Sequence, residues 1–347
     1  MTSQAIGQFS IGYFGAQGRM WPYVQEFIPE GAKRYLDYTA GGFGNPLKAA
    51  VERKMPVAVN DLCQYVVIAA RSVFEDPIEE AHKEYSDLMN FLDNIVPRDG
   101  MMIAMKEAGT SIAKRGAFTD ELRQYVDGLC SVANNRMKFA VGKVLMDATF
   151  RGMTWCGTSA NAIPILEWTT EYFKEKLLRW YRRFEVVRLT VQETGVEHKV
   201  VSYDCGMIAK IAPELHKDAV IYLDPAWPWK DATLGVENPY EFVASIISGI
   251  LLQRETSTPQ FRWEEMTNEE IADEATNWVQ RGLGAGAMRF ILNTQSTNRP
   301  SVEMLLDSLN QKGISHTVAN KQSFKGTNKP FEETWIVCEN GSNSKGS

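Results

Sequence analysis

The sequence predicts an α/β protein built on a doubly wound, Rossmann-like sheet, with a mostly helical segment inserted in its middle. Three observations predict it. Short β-rich runs alternate with helical stretches near both ends of the chain, and two of them end directly in an acid: Val57-Ala-Val-Asn-Asp61 and Ala219-Val-Ile-Tyr-Leu-Asp224. A glycine-rich turn, Ala40-Gly-Gly-Phe-Gly44, follows the first strand candidate, as in the opening of a nucleotide-binding α/β unit. Between these regions the apolar residues recur at a spacing of three to four, the helical period.

The elements follow in order. Ala32 to Asp37 reads as the first strand and Pro46 to Lys54 as a helix. Val57 to Asp61 reads as the second strand. Ile78 to Ile95, Asp120 to Asp147 and Pro164 to Phe184 read as helices. Val186 to Val191 and Val200 to Tyr203 read as strands around a turn at Thr194-Gly195. Ala219 to Asp224 is a buried strand, followed by helices around Tyr240 to Gln253 and Asn268 to Arg281. Met288 to Leu292 is a strand, Ser301 to Lys312 a helix and Glu333 to Cys338 the last strand. Gly282-Leu-Gly-Ala-Gly286 precedes a strand rather than a helix and has no Walker spacing, so it reads as a connection. The predicted organisation is a cofactor-binding part over 1–76, a helical insertion over 77–194, a catalytic part over 195–338 and a Gly/Ser/Asn-rich tail over 339–347.

Composition narrows the class. With 347 residues, 44% hydrophobic and 23% charged, the chain is an ordinary soluble globular protein. No apolar run approaches the roughly 20 residues that span a bilayer. Met1 to Gly12 lacks the basic and apolar segments of a secretory signal, so a cytoplasmic protein with no membrane partner is expected. The five cysteines are odd in number and form no C-x-x-C pair, and the four histidines are scattered, so neither a disulfide framework nor a metal site is expected. Net charge is −6, but residues 78–194 hold 16 basic and 16 acidic side chains, so the rest of the chain carries the whole excess. Phosphate contacts would then come from the middle of the chain.

The chemistry concentrates at strand ends. In an open α/β sheet the carboxyl ends of the strands form the ligand crevice. That places Asp37, Asp61 and Asp224 there, with the glycine turn allowing close backbone approach. Asp61 is suited to accept hydrogen bonds from a ribose diol. Asp224-Pro225-Ala226-Trp227 is the most informative stretch. The exocyclic amino group of adenine is a poor nucleophile, because its lone pair is delocalised into the ring. The Asp224 carboxylate and the Pro225 carbonyl are two acceptors for its two hydrogens. Held this way, the nitrogen turns pyramidal and aims its lone pair at an electrophilic methyl. Pro225 fixes the backbone and Trp227 is expected to stack on the base. The alternative is a strand end with a turn proline and a core Trp.

The order of these pieces resembles the DNA adenine methylase (Dam-type, alpha-class) family of adenine-N6 DNA methyltransferases. Tyr13-Phe-Gly-Ala-Gln-Gly-Arg19 is similar to the family's first segment, and Tyr38 to Gly44 to its glycine turn. Asn60-Asp61, Asp204, Asp224 to Trp227 and Glu332-Glu333 match later motifs. The similarity spans residues 11–75 and 198–338, and the insertion has no match. The sequence departs from the family in having Arg19 for Lys, Thr39 for Phe, Phe43 for Gly, Ala226 for the second Pro and Trp227 for Tyr.

The resemblance implies a methyltransferase sheet that uses S-adenosylmethionine to methylate adenine N6 in double-stranded DNA. It implies cofactor contacts from Tyr13, Gly15, Arg19, Ala40, Gly41, Gly42 and Asp61. Asp204 would lie near the cofactor's adenine, and the strand-end Asp37 and the neighbours Leu62 and Cys205 complete the expected set. Asp224, Pro225, Ala226 and Trp227 would hold a flipped base. Action on RNA or single strands, or a catalytically silent nucleic-acid-binding protein, are the alternatives; any restriction partner is unspecified.

The insertion supplies candidate nucleic-acid contacts. Lys176, Arg179 and Arg183 cluster with Lys174 and Arg182 on one predicted helix, and Lys114, Arg115, Arg151 and Trp155 sit in Gly-rich stretches. For the helix, a plain solvated face is the competing reading.

Overall fold

The computed structural model describes residues 20–75, 87–107, 118–150, 168–225, 227, 239–249, 263, 265–296, 298–324 and 330–339. The described elements run in this order. First come α1 (Trp21–Val24), β1 (Arg34–Asp37), α2 (Gly44–Glu52), β2 (Val57–Asn60), α3 (Gln64–Phe74), α4 (Leu88–Asp93) and α5 (Met101–Glu107). Next are α6 (Asp120–Val132), α7 (Asn135–Phe150), α8 (Thr170–Gln192), β3 (Lys199–Val201), α9 (Cys205–Ile211), β4 (Ala219–Leu223) and α10 (Pro239–Ser248). Last are α11 (Asn268–Gly284), β5 (Arg289–Gln295), α12 (Val302–Gln311), β6 (Ser315–Phe324) and β7 (Pro330–Glu339). The chain divides into two compact units.

One unit takes its described residues from Gly15–Leu62, Val196–Thr233 and Thr258–Ser347. It holds all seven described strands in one sheet, in the order β3-β2-β1-β4-β5-β7-β6. β1 to β5 are mutually parallel, and β7 runs antiparallel between β5 and β6. This is an α/β unit with a seven-stranded, mostly parallel mixed sheet, a layout compatible with a Rossmann-like fold. The strand order reverses direction between β1 and β4, which is where such a sheet opens its crevice. β2 and β4, inner strands of this sheet, are short and almost wholly apolar, as strands covered on both faces require.

The pleat sends alternate residues to opposite faces. Leu36, Ile221, Leu223, Phe290 and Leu292 pack with α9, α11 and α12 into one core cluster. Tyr35, Asp37, Tyr222, Asn293 and Trp335 point to the other face. There Trp21 meets Tyr35 edge-on and Tyr23 stacks on Trp335 with centroids 5.8 Å apart. Thr267 opens α11 with a capping box to Glu270, and Ser301 caps α12 through the Met304 N–H. Gly282 lies so close to β4 and β5 that an added Cβ would stand 2.8 Å from Ile221 and 2.9 Å from Phe290. That packing explains the glycines before β5 as a connection.

The second unit takes its described residues chiefly from Cys63–Gly195 and Leu234–Ser257, and all its described secondary elements are helices. Its interior joins α3, α7 and α8 through Tyr65, Phe139 and Phe184, with the last two rings 4.6 Å apart. Gly142 lets α7 approach Tyr65 closely, since a Cβ there would stand 2.7 Å from the ring. α3, ahead of the predicted insertion, and α10, after it, both belong to this unit. No helix among the described residues is long and apolar enough to cross a membrane.

Two sequence expectations need correction, and one strand has no counterpart among them. Val186 to Val191 is not a strand but the last turns of α8. Phe184, Val187 and Val191 are buried at helical spacing, so tertiary packing overrides the β-branched composition. Asp120 to Asp147 is two helices: α6 ends at an extended Ala133, and the Asn134 Oδ1 accepts the Met137 N–H at 3.0 Å to start α7. β6 was not foreseen. It is an edge strand of mostly exposed, polar residues, so it carries no alternating pattern.

Two neutral histidines tie the sheet unit together. His198 Nδ1 accepts the Val57 N–H at 3.2 Å, and burial lowers its pKa from 6.5 to about 4. His216 Nε2 lies 2.5 Å from the Tyr38 hydroxyl while its Nδ1 meets the Ala212 carbonyl, and burial lowers its pKa too. Both folded values lie below the unfolded value, so the unfolded chain binds more protons in this range and stability rises with pH. The contribution is complete above about pH 6.5 and, for His198, is lost as pH falls through about 4. Urea unfolding followed across pH 7 to 4 is expected to show stability dropping by up to ~1.4 kcal/mol per pH unit for each histidine. The His198→Gln chain is expected to lose part of that slope; an unchanged slope would refute the assignment.

Candidate active site

The loops after β1, β2, β3 and β4 meet at the carboxyl edge of the sheet and are locked by side chains of the chain itself. Asn60, at the end of β2, donates from Nδ2 to the carbonyls of Tyr38 and Tyr203 at 2.8 and 2.9 Å. Its Oδ1 accepts the Tyr203 N–H at 2.8 Å. One buried amide therefore fixes three strand ends. The glycine turn follows β1 directly: Ala40 donates its N–H to the Asn60 carbonyl, and Gly41 donates its N–H to Asp61 Oδ2 at 2.8 Å. Gly41 has φ +47° and Phe43 φ +35°, so the turn passes through the left-handed region twice before α2 begins. Phe43 is fully buried, and that burial holds a non-glycine residue in this conformation.

Asp224 stands immediately after β4, next to the turn. Its backbone N–H is donated to the Thr39 hydroxyl at 3.0 Å. Asp37, Asp61 and Asp224 thus gather from three adjacent strands. Burial pushes the Asp37 carboxyl well above the usual carboxylate range. The Thr39 N–H, 3.2 Å from its Oδ1, opposes that shift, while the charges of Asp224 and Asp61 add to it. The Tyr222 hydroxyl is raised by burial and then by Asp224 and Asp37. A buried acid kept among other acids costs stability, and such groups concentrate at functional sites. Among the described residues no group of three or more His, Cys, Asp or Glu side chains is placed to hold a metal ion.

The Asp37 shift carries a sign. A carboxyl raised above its unfolded value binds a proton more tightly in the folded state, so folding loses stability as pH rises through that range. Asp37→Asn keeps an acceptor for the Thr39 N–H and removes the buried charge. Its expected effect is a gain on the order of 1 kcal/mol or more at pH 7 that fades below about pH 4. Affinity for a cationic ligand should fall in the same variant. Denaturation at the two pH values checks the first part, and loss of stability at pH 7 would contradict it.

Asp204 caps α9 by accepting the Gly206 N–H at 2.7 Å, and Arg281 holds the Gly206 carbonyl at the same distance. Cys205 is buried beneath the turn, its Sγ 3.4 Å from the Tyr38 carbonyl. Ala40 and Gly42 are buried in the turn, and Leu62 is half-buried beside Asp61. The candidate cofactor residues Asp37, Ala40, Gly41, Gly42, Asp61, Leu62, Asp204 and Cys205 therefore fall at the end of β1, on the loops after β1 and β2, and at the start of α9. A cleft of about 550 Å³ opens between α9 and α11, with Asp204, Met207, Trp278 and Arg281 among its walls. Tyr13, Gly15, Arg19 and Ala226 lie outside the described residues.

No protein-family model matches the chain, and no curated protein matches it.

Trp227 is packed into the protein. It is only 3% exposed, its Nε1–H is given to the Asn293 carbonyl at 2.8 Å, and its ring stacks on Trp263 with centroids 5.2 Å apart. Trp263 stacks in turn on Trp278. One face of the indole therefore rests on a core neighbour. The Trp227 N–H also bonds back to the Pro225 carbonyl at 2.7 Å, which tightens the turn. A carbonyl has two lone pairs, so Pro225 retains acceptor capacity.

Sequence reasoning missed Thr39, which orients Asp224, and the locking role of Asn60. It also passed over Asn293, a polar residue that interrupts the apolar run Phe290-Ile-Leu in β5. That interruption was the available signal.

In the helical unit, Arg179 and Arg183 are exposed on α8 and Lys176 is half-buried. Lys176 lies over the Tyr172 ring at 4.8 Å and Arg183 over Trp180 at 5.3 Å. Lys174 pairs with Asp93 at 3.0 Å. These cations rest on their own helix or pair locally, which fits a solvated face as well as a phosphate contact. Lys114, Arg115, Arg151 and Trp155 lie outside the described residues.

Proposed function

We propose that the chain is an S-adenosylmethionine-dependent methyltransferase acting on adenine N6 in DNA. The observation that carries this is the hydrogen-bonded cluster joining Asp37, Gly41, Asp61 and Asp224 at the point where the strand order reverses. The sheet layout, with an antiparallel β7 set between β5 and β6, supports the Rossmann-like methyltransferase fold that the family resemblance implies. Fold alone does not give function, so the residues must fit the chemistry.

They do fit the cofactor. S-adenosylmethionine is a cation with an ammonium and a sulfonium centre, and an edge rich in Asp37 and Asp61 favours positive charge. The Gly41 region allows close approach of the backbone, and Asp61, directly after β2, is the acceptor this reading assigns to a ribose diol. When bound, the cofactor supplies an electrophilic methyl group. The chain's own residues supply position. Asp224, with its backbone pinned by Thr39, accepts one amino hydrogen of the target base, and the Pro225 carbonyl accepts the other. That directs the nitrogen lone pair out of the ring plane. Catalysis is then positioning and electrostatics, without a covalent enzyme intermediate. Trp227 and Trp263 exclude water behind the turn.

In this reading the helical unit is the target-recognition part, with α8 as a candidate phosphate contact and double-stranded DNA as the partner. Expression in a methylation-deficient host followed by mapping of modified bases is the test. New N6-methyladenine at a defined sequence is the expected result, and its absence overturns the proposal. Parallel assays on single strands and RNA assign the nucleic-acid class.

A further inference from the structure

The Asn293 side chain is fully buried, and neither its Oδ1 nor its Nδ2 has a hydrogen-bond partner among the described residues. Nearly all buried amides are paired, and an unpaired one costs on the order of a hydrogen bond or more. This one lies at a particular place. Leu292 pairs with Leu223 across β5 and β4, so Asn293 is the next residue along β5 as Asp224 is the next after β4. Both follow residues of the Leu36 face, so the pleat directs the Asn293 side chain to the face that carries Asp37. Its backbone carbonyl is occupied by the Trp227 indole N–H. The main chain of Asn293 therefore anchors the catalytic turn while its carboxamide is left unmatched beside it.

Resting on the function proposed above, we propose that the Asn293 carboxamide reads the edge of the target base next to its amino group. A carboxamide offers an acceptor and a donor side by side. Both amino hydrogens are taken by Asp224 and the Pro225 carbonyl, so it is the Nδ2 donor that complements the ring nitrogen beside the amino group. Asp224 and Pro225 then hold the amino group for reaction, and Asn293 checks that a ring nitrogen accompanies it. Asn293 is a specificity-determining residue in this arrangement. A retained unpaired amide is the expected mark of a site that exchanges fold stability for ligand recognition.

Two measurements test it once the target sequence has been mapped. The first compares the wild-type chain with Asn293→Leu, a near-isosteric change that removes the unmatched polar atoms. A merely structural residue would leave Asn293→Leu as active as wild type. The proposal expects Asn293→Leu to melt at the same temperature or higher and to lose about tenfold to a hundredfold in single-turnover methylation rate. The second uses duplexes carrying 1-deazaadenine or 7-deazaadenine at the target. One of the two analogues should slow the wild-type chain by a similar factor and slow Asn293→Leu no further, because the contact is already gone. Full activity of Asn293→Leu, or losses that simply multiply for both analogues, would overturn the inference. A wild-type chain that methylates no nucleic acid would overturn the proposed function, and this inference with it. An active wild-type chain with an equally active Asn293→Leu would overturn this inference alone.

Discussion

Asp224→Ala is expected to reduce the rate of methyl transfer by about 10²–10³-fold, the scale seen when one preorganised polar group is taken from a reacting centre. The reasoning starts from the main chain. β4 ends at Leu223, and the Asp224 N–H is fixed to the Thr39 hydroxyl, so the carboxylate is positioned before any substrate arrives. Its acceptor strength is used only as the amino nitrogen becomes pyramidal, so the loss should fall in kcat rather than KM. Cofactor affinity should change little, because the glycine turn and Asp61 are held together by their own bond. Asp224→Asn is the sharper companion. It keeps the shape but turns one acceptor into a donor facing the amino hydrogens, and should be at least as slow as Asp224→Ala. Single-turnover rates with saturating DNA, alongside cofactor titration, check both. A variant that keeps full rate would remove Asp224 from the mechanism even if the chain proved to be a methyltransferase.

Much of the sheet unit was legible in the sequence because its signals are local. A strand that ends in an acid and runs into a glycine turn or a proline needs no tertiary information to be read, and β1, α2, β2 and β4 lie close to where those signals put them. What was not legible depends on partners distant in sequence. β6 is polar because it sits at the sheet edge, a fact that only the strand order reveals. The valines at the end of α8 look like a strand until Phe184, Val187 and Val191 are seen to share one buried helical stripe. The same division runs through the site. Asp37, Asp61 and Asp224 were identified individually from strand ends, but their mutual repulsion needed the β2-β1-β4 adjacency. Thr39 and Asn60 emerged only as hydrogen bonds across 185 and 143 residues. Trp227 shows the same division. An aromatic after Asp-Pro reads as a base platform by analogy, and its packing partners, Trp263 and β5, are remote in sequence.

Those surroundings set the second large expected effect. Trp227→Ala should destabilise the free protein by about 3–5 kcal/mol, the usual cost of removing a buried Trp. Its ring is 3% exposed and is the first of three stacked indoles, with Trp263 and Trp278 spaced 5.2 Å apart in succession. Truncation would leave a cavity against Trp263, and the Asn293 carbonyl would lose the indole N–H. Trp227→Phe separates these contributions: it keeps most of the ring and loses the N–H, so about 1–3 kcal/mol is expected. The comparison also decides between two roles. If Trp227 served only to stack on an incoming base, its removal would alter the free protein by no more than about 0.5 kcal/mol, as for other surface substitutions. If it walls the site, the full loss appears in urea unfolding with no nucleic acid present, and Trp263→Ala should reproduce it. Activity then falls in both variants for one reason, because the turn carrying Asp224 and Pro225 has lost the surface against which it is set.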